Sequence, residues 1–212
     1  MKLNVPFFKQ TTDLNCGPSA LKMVLSYFGK DYEIGILEQK IGIKKGKALS
    51  TIQIATAASS LGYRTDFYSK NLLFNEEHLK HKFYQKYGAN MDLDSSKRLV
   101  EEAKNAGVNV HEKTLVLKKI LGFLTENSIP IVLVDWNVII NKKEKGYQGH
   151  FVPVVGYDNQ NVYVHDPEEQ KGFKAVQRNI FDKARKADGT DEDIVVVYRK
   201  TDGGIKYLIL KR

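Results

Sequence analysis

The chain has only one cysteine in 212 residues. Without a second, no internal disulfide and no multi-cysteine metal site can form, which accords with a reducing compartment. Long hydrophobic runs are missing as well: Ile129 to Trp136 falls far short of the ~20 apolar residues needed to cross a bilayer. The opening Met1-Lys2-Leu3-Asn4-Val5-Pro6 has no extended apolar stretch, so no signal peptide is expected. There is no internal repeat, no low-complexity segment and no recognisable nucleic-acid module. The expectation is a soluble, cytoplasmic protein without a membrane segment. It forms one domain over 1–212, with a helical insertion at about 70–110.

Apolar residues make up 42% of the chain and aromatics 10%, enough for a packed core. The charge is +8, from 33 Lys and Arg against 25 Asp and Glu. Such a balance suits nucleic acid or an acidic partner. Here, however, the cations are spread among acidic residues, and the densest run, Lys142-Lys143-Glu144-Lys145, is interrupted by Glu. A solvated, lysine-rich surface is the expected state, and nucleic acid is not expected as a partner.

The lone Cys16 sits where a helix should begin. Ala20, Leu21, Val24, Leu25 and Phe28 recur at helical spacing, and Gly29 is a stop signal. Gly17 and Pro18 suit a tight entry and a first helical turn. A thiol at this point faces unpaired N–H groups and the positive end of the helix dipole, which favours a nucleophilic sulfur. The plain alternative is a small buried hydrophobe.

Further helices are expected over 31–43, over 51–61 after a Ser50 cap, over 74–87, from Ser95 or Ser96 to Ala106, and from Thr114 until Pro130 stops it. His78 and His81, at i and i+3, can share a ligand on one helix face, but no acidic partner stands out, and no metal site is expected. Strands are expected over 63–68, 108–110 and 131–136. Later strands are expected over 151–155 and 162–164, joined by a turn, and over 173–176, 194–198 and 205–210. A short helix from Asn179 or Ile180 to about Lys186 lies among them. The polar stretch 141–148 reads as a lid or substrate-selecting rim. Helices dominate the first part and antiparallel strands the last, which gives an α+β class with helices packed on a sheet.

A thiolate nucleophile needs a base, a group to orient that base, and donors for an oxyanion. His150 starts the first strand of the late hairpin, and Asp166 ends the second, sixteen residues on. In a hairpin those two positions lie at the same end, so Asp166 can hold one imidazole nitrogen while the other faces the thiol. Gln10, six residues before Cys16, can offer its side-chain NH₂ beside the Cys16 N–H. Each residue also has an ordinary reading: a strand-end histidine, an Asp-Pro turn opener, a surface glutamine. His165 is a rival base that should point to the other face of the sheet.

The segment QTTDLNCGPSAL, from Gln10 to Leu21, resembles the opening motif of the peptidase C39-like family. These are papain-like cysteine peptidases related to the leader-peptide-cleaving domains of bacteriocin exporters. GHFVPVVGYDNQNVYVHDP, from Gly149 to Pro167, is similar to that family's His block and Asp-Pro block. Leu115 to Asp135 resembles its helix and Pro-led strand, and Phe173 to Tyr198 its tail; residues 72–110 do not align. The resemblance implies a papain-like fold with Cys16 as nucleophile, His150 as base, Asp166 as orienting acid and Gln10 at the oxyanion position. Substrate preference is not carried by these motifs; the expected activity is cysteine-dependent hydrolysis of an amide bond, with a peptide or protein as substrate and neither metal nor cofactor. Pro153 departs from the pattern and implies an edge or bulge; with no transporter domain following, no exporter is implied. Acyl transfer, a non-catalytic peptide-binding module and nucleic-acid binding through the basic surface stay open as alternatives, as does the oligomeric state.

Overall fold

The computed structural model describes residues 1–44, 46–74, 76–88, 92–142 and 146–200. Three helices come first: α1 (Cys16–Tyr27), α2 (Ile34–Ile41) and α3 (Thr51–Ser60). Next come β1 (Thr65–Ser69), a 3-10 turn (Glu76–Lys80), α4 (Lys82–Tyr87), α5 (Leu93–Asn105) and β2 (Asn109–Glu112). After α6 (Leu117–Gly122) the chain alternates: β3 (Ser128–Asp135), α7 (Trp136–Ile139), β4 (Gly149–Tyr157), β5 (Asn161–Val164), β6 (Lys174–Gln177), α8 (Arg178–Arg185) and β7 (Ile194–Tyr198).

The strands form one seven-stranded sheet in the order β2-β1-β7-β3-β4-β5-β6. Every pairing is antiparallel except β1 with β2. Neighbouring residues of a strand face opposite sides. All eight residues of β3 are buried, so the centre of the sheet is covered on both faces. Helix α1 packs on β4, α3 on β7 and β1, and α8 on β3.

Several expectations shift in detail. The helix expected over 74–87 is broken into the 3-10 turn and the short α4, because His81, with extended backbone, separates them. Asp92 caps α5, its carboxylate accepting from the Ser95 N–H at 2.7 Å, so the cap lies before the two serines. Pro130 does not open the central strand but lies within it, paired with Val196. Pro153 is not on an edge: it pairs with Ile131 inside the sheet, and the irregularity falls just after it, between Val154 and Gly156. The segment expected as a helical insertion supplies β2 to the sheet, and its α5 packs on α3. The strand expected over 205–210 and residues 143–145 of the expected lid lie outside the described residues.

One contact sets how near α1 comes to the sheet. A Cβ built on Gly17 meets Leu49 Cδ2 at 2.9 Å, Ile54 Cδ1 at 3.1 Å and Phe151 Cδ2 at 3.4 Å. Phe151 follows His150 on β4, so the missing side chain lets the helix start sit against that strand. Gly17→Ala is therefore expected to lower stability by about 1–3 kcal/mol through overpacking, read by denaturant unfolding; an unchanged midpoint would contradict the close fit.

Candidate active site

The turn before α1 is tied by Asn15. Its Oδ1 accepts from the N–H groups of Thr11 and Thr12, both at 3.1 Å, and its Nδ2 donates to Thr11 Oγ1 at 2.8 Å and Glu38 Oε1 at 2.9 Å. The helix then starts at Cys16, which is buried and whose N–H has no acceptor within the helix. Gln10 is anchored from the other end of the chain, since its N–H donates to Pro167 O at 2.8 Å. Its Oε1 is enclosed and has no hydrogen-bond partner among the described residues. Gln10 is not among the residues that line the cavity at Cys16.

His150 and Asp166 lie on the paired segments that the hairpin brings together. His150 Nε2 and Asp166 Oδ1 are 2.8 Å apart, with His150 2% exposed and Asp166 1%. That contact leaves Nδ1 as the ring nitrogen available to the Cys16 sulfur, which shares the cavity with the imidazole and acts on it electrostatically. Burial by itself would push the imidazole pKa down. The bond to Asp166 and the interaction with Cys16 outweigh it and push the pKa up to about 10. Trp136 covers the ring, with centroids 4.7 Å apart. Sequence reasoning missed this residue, although the only tryptophan, placed at the end of a buried strand, was a signal to follow.

His165 is set apart from this group. Its Nε2 donates to Val5 O at 2.9 Å, and its Nδ1 accepts from the Phe173 N–H at 3.0 Å. That pattern requires the neutral ring. A Cβ on Gly172 would meet His165 Cε1 at 2.5 Å, so the glycine allows the loop to lie on the ring. His165 thus clamps the first strand-like segment to the 172–173 turn. His78 Nε2 contacts Asp191 Oδ2 at 2.7 Å, whereas the His81 ring packs on Tyr147, so the two do not converge on one ligand. Among the described residues, no group of three or more His, Cys, Asp or Glu side chains is arranged to hold a metal ion.

A cavity of about 330 Å³ opens on Cys16 and His150. Leu133, Phe151, Ala48 and Leu49 give its lining aliphatic and aromatic surface, and Phe83, Tyr84, Tyr87 and Tyr147 add an aromatic wall. Tyr84 and Tyr147 stack at 5.3 Å, and Phe83 stands edge-on to Tyr147 at 5.4 Å. Sequence reasoning did not place this wall either, because α4 aligned with nothing and its aromatics read as ordinary helix residues.

The sequence profile of a family described as guanylylate cyclase matches residues 5–197. The chain belongs to the guanylylate cyclase family. A curated relative, guanylyl cyclase 1 of Arabidopsis thaliana, is 23% identical over 210 residues, covering 92% of this chain and 76% of that protein. The solved structures it resembles carry a different description. The peptidase domain of Streptococcus ComA, a bifunctional ABC transporter, has a TM-score of 0.51 and 17% identity, covering 93% of this chain and 100% of that one. A C39-like peptidase from Bacillus anthracis has a TM-score of 0.53 and 16% identity over 95% and 99%. A double-glycine-motif protease from an AMS/PCAT transporter, solved with its leader peptide, has a TM-score of 0.52 and 18% identity over 94% and 94%. The chain therefore has the C39 peptidase fold, an α+β structure on which unrelated activities can be built.

Burial lowers the His165 pKa from its ordinary 6.5. A depressed imidazole stabilises the fold above pH 6.5, and that contribution is lost as pH falls toward the lowered folded value. Thermal unfolding of His165→Asn is expected to show a smaller loss of melting temperature between pH 7.5 and pH 5 than the parent. Equal losses would contradict the clamp.

Proposed function

We propose that the protein is a thiol hydrolase that opens an amide bond, with a peptide as its substrate. The observation that carries this reading is the His150 imidazole, held on Nε2 by Asp166 and lining one cavity with the sulfur at the start of α1. The fold likeness to three peptidase domains supports it, and one of those was solved with a peptide bound.

In this reaction the Cys16 thiolate adds to the amide carbonyl carbon, and the carbonyl electron pair moves onto oxygen. The Cys16 N–H donates to that oxyanion; one such donor is worth roughly 3 kcal/mol of barrier. As the C–N bond breaks, the His150 imidazolium gives its proton to the leaving amine. The neutral ring then takes a proton from water, which displaces sulfur from the thioester. Asp166 keeps the ring in place and favours its charged form. A competing amine in place of water turns the same cycle into acyl transfer.

A cyclase reading has its own support, the family match over residues 5–197 and the likeness to guanylyl cyclase 1. A nucleoside triphosphate needs cationic partners. The cavity at Cys16 has no Lys or Arg among its described lining residues. An adjoining groove of about 490 Å³ does, with Lys40, Lys44, Lys47 and Arg98 in its lining beside one carboxylate, Glu102. Cyclic nucleotide formed from GTP that survives Cys16→Ala and vanishes in Lys44→Ala/Arg98→Ala would support the cyclase.

For the hydrolase, Cys16→Ala and His150→Ala are each expected to cut peptide turnover by roughly 10⁴-fold or more, with the far-ultraviolet circular dichroism unchanged. Full turnover in either variant would contradict the assignment. Liquid chromatography of products with and without an added amine separates hydrolysis from transfer.

A further inference from the structure

The cavity at Cys16 runs against the charge of the chain. The protein carries 33 Lys and Arg against 25 Asp and Glu. Yet among the described residues the charged side chains that line this cavity, apart from the catalytic imidazole, are Asp13 and Glu168, both carboxylates. Neither forms an ion pair among the described residues, and both are exposed at the rim. Asp13 precedes the nucleophile by three positions, and Glu168 follows Asp166 by two, with its N–H donating to Asp166 Oδ1 at 3.0 Å. The acidic pair thus comes from the two loops that also position the sulfur and the imidazole.

The facing wall is aromatic. Tyr84 and Tyr147 stack with 13° between their planes, Phe83 stands edge-on to Tyr147, and Phe83 and Tyr87 meet at 5.3 Å. Tyr147 is held tightly beside the base: a Cβ on Gly149 would stand 2.6 Å from its Oη. Aromatic faces attract cations, and carboxylates reinforce that attraction. A planar guanidinium gains more than an ammonium, since it stacks on rings and pairs with carboxylates through a fork of N–H groups. At about 330 Å³ the cavity takes a side chain of that length.

Resting on the hydrolase reading, we propose that the substrate is a peptide carrying an arginine beside the scissile amide, its guanidinium lying between the Phe83–Tyr147 wall and the Asp13 and Glu168 carboxylates. The selection is electrostatic as well as steric. An isosteric neutral side chain fits the same space but loses the carboxylate attraction, and an acidic one is repelled.

Two measurements test this separately from the chemistry. The first is equilibrium binding to Cys16→Ala of a short arginine peptide amide and of its citrulline isostere, by isothermal titration calorimetry at low salt. The arginine peptide is expected to bind roughly tenfold or more tighter. Asp13→Asn/Glu168→Gln in the same background is expected to remove that preference while leaving citrulline affinity in place, and 0.5 M salt to shrink it. The second is kcat/KM on the parent enzyme for the same pair with a fluorogenic leaving amine, where the same preference is expected. Equal binding of the two peptides, or a preference that survives the double variant, overturns the arginine proposal whether or not turnover is seen. Preferential binding with no Cys16-dependent cleavage of either peptide would instead overturn the hydrolase reading and keep the cavity as an arginine-peptide site.

Discussion

The organisation of the molecule depends on one buried contact, the 2.8 Å approach of Asp166 Oδ1 to His150 Nε2. A charged imidazole is costly to remove from water, and burial alone would make this ring neutral. Asp166 on Nε2 and the Cys16 sulfur beside the ring reverse that preference. The hairpin of β4 and β5 brings the His and Asp segments to one end of the sheet. The close seat of Gly17 between Leu49, Ile54 and Phe151 brings the sulfur to the same place. The Gln10 N–H bond to Pro167 O then ties the segment before the nucleophile to the segment after the acid. Residues at the two ends of the chain are thereby made neighbours by backbone contacts rather than by side-chain chemistry alone.

Family and fold give this chain two descriptions. Its sequence places it with guanylylate cyclases, whereas its backbone resembles C39 peptidase domains. The two are compatible, because a fold does not dictate an activity. What separates them is local charge. The cavity at the sulfur offers carboxylates and aromatic rings, and the cationic groove beyond Leu49 offers Lys40, Lys44, Lys47 and Arg98. The two regions share Ala48 and Leu49 in their lining, so the chemistry proposed for one has a physical boundary with the other.

Much of this arrangement was legible in the sequence because it rests on short-range rules. Periodicity and glycine stops placed α1 and α3 to within a residue or two, and Gly29 and Gly62 do adopt positive φ. The hairpin turn put His150 and Asp166 at one end because strand pairing leaves little freedom. The alternation of side chains along a strand separated His165 from its neighbour Asp166. What sequence could not show was longer in range. The parallel pairing of β2 with β1 needs a crossover through α4 and α5, and no local pattern signals it. The aromatic wall comes from Phe83 and Tyr84 meeting Tyr147 across some sixty residues, with Tyr87 against Phe83. Trp136 over His150 is likewise a contact between β3's end and β4 that composition alone does not assign.

The central claim is that the imidazole of His150 activates the sulfur of Cys16. The most direct measurement is the rate of Cys16 alkylation by iodoacetamide at pH 6, followed by intact-protein mass spectrometry, in the parent and in His150→Ala. With a protonated imidazole beside the sulfur, the parent is predicted to react at least about tenfold faster than the variant. Equal rates in the two proteins would contradict the account.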